Sequence, residues 1–257
     1  MFDFSEDISD AKDIWLIYGR KGTGKTFFSF SFPGNKMCLS FDRKSVRIKK
    51  NFYDNIDTIK VFDVKKYLRT DSNENILDTS LISTQFIQQL LEQFKDKEVD
   101  WIIFDGVETY LFILEMVMRK INGLKPFQGI SNLNVWKQRR QFVDHFHNLA
   151  LSIAKKGVIY VTWSEKEDII KEGAIISTKD VPKWFDAIRN ETDIVAETKM
   201  EYDGVKKETS FFVHIVSSKN PKYPTGALYN ITNTTCFEPE KIIETEEEKL
   251  KVGDIEL

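Results

Sequence analysis

Two cysteines in 257 residues, Cys38 and Cys236, suggest neither a disulfide framework nor a zinc site, and Cys38 falls inside a predicted strand. A reducing compartment fits. No stretch approaches 18 uncharged apolar residues, and the N-terminus, Met1-Phe2-Asp3-Phe4-Ser5-Glu6-Asp7, is acidic where a secretory leader is positive and then apolar. The expectation is a soluble cytoplasmic protein without membrane contact, in the host cytoplasm if the source is viral. A basic excess is also lacking: the formal net charge is −3, so any contact with nucleic acid must come from local patches. Internal repeats and Pro-rich linkers are absent. A G-specific N-K-x-D motif and an Arg-rich lid are missing too, which argues against a small GTPase and against a kinase-type phosphotransferase.

What is present is a core: 41% of residues are apolar and 13% aromatic, enough for one α/β domain with decorations. The most informative segment is Gly19-Arg20-Lys21-Gly22-Thr23-Gly24-Lys25-Thr26, which follows the apolar run Ile14-Trp15-Leu16-Ile17-Tyr18 and satisfies G-x-x-x-x-G-K-[ST]. Ordinary residue frequencies place such an octet in a chain of this size about once in a hundred. A loop around a triphosphate must turn backbone N–H groups inward, which Gly19, Gly22 and Gly24 permit. The helix that follows offers unpaired amides and a positive dipole end, and Phe27 continues the nucleotide-binding segment. Lys25 reaches the β- and γ-oxygens of ATP, and Thr26 supplies a hydroxyl to Mg²⁺. The metal needs a second oxygen donor, and Asp100-Trp101-Ile102-Ile103-Phe104-Asp105, a short apolar run closing on a carboxylate, nominates Asp105. Glu108, on the first turn of the next helix, either orients an attacking water or serves the helix dipole.

Strand-like runs at 13–18, 36–41, 58–62, 100–105 and 157–163 alternate with helical stretches at 25–31, 79–95, 107–121 and 132–155. This predicts a mostly parallel, doubly wound sheet. Thr192–Lys199 and Thr209–Val216, joined around Asp203-Gly204, predict an antiparallel hairpin extending it. Thr162 and Ser164, at the end of the fifth run, are candidate sensors of the γ-phosphate, with Trp163 read as core. His145 and His147 diverge on their helix and are read as structural or solvent-facing rather than metal-binding. Two basic clusters, Arg43-Lys44…Arg47…Lys49-Lys50 and Lys65-Lys66 with Arg69, are interleaved with Phe52, Tyr53 and Tyr67, a pattern suited to a single-stranded backbone with stacked bases. A third cluster is Trp136-Lys137-Gln138-Arg139-Arg140. The turn-rich Ser217-Ser218-Lys219-Asn220-Pro221-Lys222-Tyr223-Pro224-Thr225-Gly226 holds Lys219, and after it Lys222, as a cation for the γ-phosphate of a neighbouring subunit. A bias to Lys, Ile, Phe and Asn accompanies AT-rich genomes and points to a virus, a plasmid or a thermophile.

The phosphate loop, Asp105, the strand ending at Thr162 and the hairpin followed by Ser-Lys-x-Pro-x-x-Pro-x-Gly, in this order, resemble the RecA-fold ATPases. The likeness is greatest to minimal RecA-like ATPases of phages and archaeal viruses associated with single-strand-annealing recombination. It covers about residues 12–232. The RecA-like domain is expected over 12–235, with an N-terminal tail over 1–11 and, because it is charged and poor in apolar groups, a tail over 236–257. The likeness implies Mg²⁺-dependent ATP hydrolysis on single-stranded DNA in recombination, replication or repair of a viral or mobile genome. Hexamers or filaments, a trans-acting Lys219 and a single-strand-binding or annealing protein as partner follow from the same likeness. In that superfamily the strand after the phosphate-loop helix often ends in an acidic pair whose Glu activates water. Here the stretch reads Phe41-Asp42-Arg43-Lys44, so Asp42 or Glu108 takes that role or hydrolysis is slow. The alternative is a nucleotide-switched adaptor or DNA-packaging ATPase.

Overall fold

A computed structural model describes residues 12–240 except 55, 70–72, 172–173, 184–187 and 189; the tail expected over 1–11 and most of that over 236–257 lie outside the described residues. Five parallel strands form the centre: β1 (Asp13–Gly19), β2 (Lys36–Ser40), β3 (Ile59–Asp63), β4 (Trp101–Asp105) and β5 (Gly157–Val161). β1, β2, β4 and β5 are buried almost throughout, which is why they read as continuous apolar runs. Side chains alternate between two cores. Leu16, Leu39, Phe104 and Tyr160 face a layer made by α3 (Asn73–Gln93), α4 (Val107–Ile121) and α5 (Leu133–Ile153). Trp15, Cys38, Ile103 and Ile159 face an aromatic layer under α1 (Lys25–Ser31) and α2 (Lys44–Phe52).

The expected hairpin is present as β8 (Ile194–Asp203) and β9 (Glu208–Ser218), with β8 parallel to β1 and β9 antiparallel to β8. Asp203 Oδ1 accepts from Val205 N (2.8 Å) and Lys206 N (3.0 Å), which closes the turn. A short β10 (Leu228–Asn230) adds the last strand, giving the order β10-β9-β8-β1-β5-β4-β2-β3. This is the mostly parallel, doubly wound sheet with an antiparallel extension, the RecA-like P-loop architecture.

Elements that lack a strong pattern were not foreseen. In α2 the apolar positions Val46 and Phe52 are 46% and 57% exposed, so the segment reads as a charge run rather than an amphipathic helix. The fifth run, expected over 157–163, ends two residues sooner as a buried strand. β5 stops at Val161, and β6 (Ser164–Lys171) pairs with β7 (Ala174–Pro182) as a separate two-stranded ribbon whose polar, charged strands show no buried face in sequence. After β10 the chain returns beneath α1: Phe237 N donates to Ser31 O (2.7 Å), and the Phe237 ring packs on Phe28 and Tyr229. The packed chain therefore extends beyond residue 235. Among the described residues no helix is long and apolar enough to cross a membrane.

Candidate active site

The carboxyl ends of β1, β5 and β4 lie side by side, because β5 pairs with both neighbours: Val161 is in register with Ile17 on one side and Asp105 on the other. The glycine loop therefore faces Asp105 across the end of β5. In the loop Gly22 and Gly24 have φ of 85° and 87°, and Gly24 caps α1 in the left-handed region. Gly19 is required for a different reason. A Cβ there would stand 2.5 Å from Thr198 Oγ1 and 2.7 Å from Thr198 O, since β8 runs against the loop. Thr23 Oγ1 ties the loop to that strand, 2.7 Å from Thr198 Oγ1, and donates to Arg20 O at 2.8 Å.

Lys25 Nζ donates to Gly19 O and Arg20 O, both at 2.8 Å. Burial lowers its pKa to about 8, while Asp105 and Glu108 pull the other way. Thr26 Oγ1 donates to Asp105 Oδ2 at 2.9 Å, and Ser45 Oγ lies 2.6 Å from the same oxygen. Asp105 is 2% exposed. Burial, and then the nearby Asp42, raise its pKa to about 6 against the hydrogen bonds from Ser45 and Thr26 and the charge of Lys25. Gly106, at φ 100°, starts α4 directly after it, where a Cβ would be 3.2 Å from Phe41 Cβ.

Gly22, Gly24, Lys25, Thr26, Asp105 and Gly106 line a cavity of about 600 Å³ that also takes in Lys21, Asp42, Lys44, Thr162 and Trp163. Its far walls are apolar, with Phe27, Ile48 and Phe52 on one side and Phe211 and Ile231 on the other. The segment after β10, from Ile231 to Thr235, completes the rim.

The remaining residues singled out from sequence fall in distinct places. Glu108 lies on the first turn of α4, but its Oε1 accepts from Trp163 N (2.6 Å) and Thr162 Oγ1 (2.9 Å), while Oε2 is buried without a hydrogen-bond partner. It is not among the cavity-lining residues; Asp42 is, with Oδ1 accepting from Lys44 N at 2.8 Å. Arg20 points away to β7, its Nε donating to Asp180 Oδ2 at 2.8 Å. Ser164 sits in the ribbon opposite Pro182, off the cavity, whereas Trp163, expected in the core, faces it. Lys219 lies at the opposite end of the sheet from the glycine loop, because β9 runs antiparallel to β8; its Nζ is 3.5 Å from Asp193 Oδ1. His147 is structural as expected, buried with Nδ1 2.7 Å from Tyr160 OH and Nε2 2.9 Å from Glu191 Oε2. Sequence reading missed Ser45, hidden in a basic run, and Phe211, whose period-two place on β9 was the available signal. For the segment after β10 there was none.

A glycine loop capping α1, a buried carboxylate on β4 and one strand between them, in this sheet order, define a P-loop ATPase. The chain belongs to the AAA domain family, which it matches over residues 11–227. It is a P-loop ATP hydrolase. Among solved structures, the KaiC-like protein PH0186 of the hyperthermophilic archaeon Pyrococcus horikoshii OT3 is similar at 12% identity and a TM-score of 0.43, over 86% of this chain and 87% of that one. So loose a likeness carries no inference. No curated protein sequence matches the chain.

Proposed function

We propose that the chain is a Mg²⁺-dependent ATPase that acts on single-stranded DNA, in recombination, replication or repair of a viral or mobile genome. For the hydrolytic half, the carrying observation is the 2.9 Å contact between Thr26 Oγ1 and Asp105 Oδ2. A hydroxyl and a carboxylate, both hard oxygen donors, meet at the mouth of the glycine loop, the donor set Mg²⁺ takes while keeping most of its waters. Thr26 would hold the ion directly and Asp105 through water; bound there, it would neutralise charge on the phosphate oxygens. Gly19 to Phe27 hold the nucleotide, Lys25 the β- and γ-phosphates, and the apolar walls the base. Asp42 or Glu108 positions the attacking water. Lys219, remote from its own loop, acts on the site of a neighbouring subunit in a hexamer or filament.

The nucleic-acid half rests on the β3 edge of the sheet. Residues 42–69 carry nine cations and four carboxylates, net +5 in a chain of net −3. Among the described residues Arg43, Arg47, Lys49, Lys50, Lys65, Lys66 and Arg69 enter no ion pair, and Phe52 is 57% exposed beside them. The third cluster differs: Arg139 approaches Glu115 and Arg140 approaches Asp144. Unneutralised charge with an exposed ring is the footprint of single-strand binding. The test is ATPase rate with and without a single-stranded oligonucleotide. Wild type should be stimulated several-fold, Lys25→Ala should be inactive, and Lys49, Lys50, Lys65 and Lys66→Glu should keep the basal rate but lose the stimulation. The salt slope of binding should fall by about 3, at roughly 0.7 per contact. An unstimulated wild type without oligonucleotide binding would sink this half. It would favour the nucleotide-switched adaptor or packaging component, for which the engagement of Glu108 Oε1 by Thr162 and Trp163 speaks.

A further inference from the structure

Lys44 opens α2 two residues past Asp42, whose carboxylate accepts its backbone N–H at 2.8 Å and so fixes the start of the side chain. The side chain lines the same cavity as Lys25 and Thr26. Its Nζ stands 5.4 Å from the centroid of the Trp163 ring, and Lys25 Nζ stands 4.9 Å from the same centroid. Among the described residues Lys44 has no ion-paired or hydrogen-bonded side-chain partner; the ring is its contact.

An aromatic face holds an ammonium weakly and neutralises none of its charge. The cation is thus kept in the cleft yet free to move to a stronger anion. The two ammonium groups repel each other, Lys44 being among the charges that lower the Lys25 pKa, and an anion bound in the cleft relieves that repulsion. A polyphosphate whose terminal group meets Lys25 therefore comes close to a second cation of the same polypeptide, held at the same Trp163 ring.

Resting on the ATPase reading of the cleft, we propose that Lys44 is a catalytic residue acting in cis, through contact of its ammonium with the terminal phosphoryl oxygens of ATP. In the step it assists, the bond from the γ-phosphorus to the bridging oxygen breaks and ADP departs with the electron pair. A water oxygen bonds to the phosphorus, keeps one proton as the P–OH of inorganic phosphate and releases the other to solvent. Lys44 stabilises the charge that gathers on the equatorial and bridging oxygens, the place where a preorganised cation lowers the barrier most.

The test compares Lys44→Ala and Lys44→Arg with wild type for kcat, KM, ADP affinity and capture of ADP with aluminium fluoride, a mimic of the transferring group. Lys44→Ala should lose on the order of 10² in kcat and lose the aluminium fluoride complex, while KM and ADP affinity stay within about threefold. Lys44→Arg should recover most of kcat. Unchanged ADP binding shows that Lys44→Ala is folded. A mixture of Lys44→Ala and Lys25→Ala chains should stay inactive, since neither chain carries both cations. A Lys219→Ala and Lys25→Ala mixture should regain turnover if Lys219 acts in trans. Wild-type kcat in Lys44→Ala, or recovery in the first mixture, overturns the inference. If Lys25→Ala itself binds and turns over ATP, the reading of the cleft fails instead.

Discussion

Asp105→Asn should make the protein more stable at neutral pH while abolishing its turnover. Asp105 is buried, and its pKa stands at about 6 against an ordinary value of 3.8. The ionised form is therefore disfavoured in the fold by a gap of about 2 units, or about 3 kcal/mol at about 1.4 kcal/mol per unit. Asn keeps an oxygen for Thr26 and Ser45 and removes the charge that faces Asp42. Part of the gain is offset by burying an amide, so a net stabilisation of about 1–2 kcal/mol is expected, or roughly 2–8 °C in Tm. The sign with pH follows from the raised value. Wild-type Asp105 contributes its stability below about pH 4 and loses it as pH rises through 6, so the advantage of Asn should be full at pH 7.5 and vanish near pH 4. Urea denaturation in EDTA, at both pH values, measures this. An Asn variant less stable than wild type at pH 7.5, or an advantage that does not change with pH, refutes the reasoning. Turnover at the wild-type rate in the same variant would remove Asp105 from the metal side of the site.

Phe237→Ala should cost about 3–5 kcal/mol by deleting a ring that is 2% exposed against Phe28 and Tyr229, visible as a lower denaturation midpoint. Because Ile231–Thr235 forms the cavity rim just before it, a weakened affinity for ATP should accompany the loss. Gly19→Ala should destabilise by about 1–3 kcal/mol and weaken ATP binding more than tenfold by calorimetry, since the new methyl meets the Thr198 backbone. Gly22→Ala, with nothing within 4 Å of its Cβ, should show only the strain of a left-handed alanine. Lys219→Ala should bind ATP normally and turn over more slowly; lost binding would refute a role on a neighbouring subunit.

The central sheet was legible because strands buried on both faces leave unbroken apolar runs, and because a glycine loop between one such run and a helix has few other uses. Asp105 was legible as the polar end of another run. Its partner Ser45 was not, since a buried serine in a basic segment looks like any serine in a solvated face. The ribbon of β6 and β7 escaped notice for the opposite reason: a strand pair standing outside the core has no buried side to write into the pattern. The cation at Lys44 was seen as surface charge, and only the start of α2, directly after β2, brings it to Trp163 at the end of β5. The distance of Lys219 from its own loop is a consequence of strand direction, which follows only once β9 is known to run against β8.

The same ribbon has a mechanical aspect. Its strands are 8 and 9 residues long, an arm of roughly 27 Å at about 3.3 Å per residue. Both strands are fastened at one end, beside the ATP cleft: β6 where Trp163 N meets Glu108, β7 where Asp180 meets Arg20 of the glycine loop. A tilt of about 10° at those fastenings would carry the far ends of the two strands through about 5 Å, the width of a side chain.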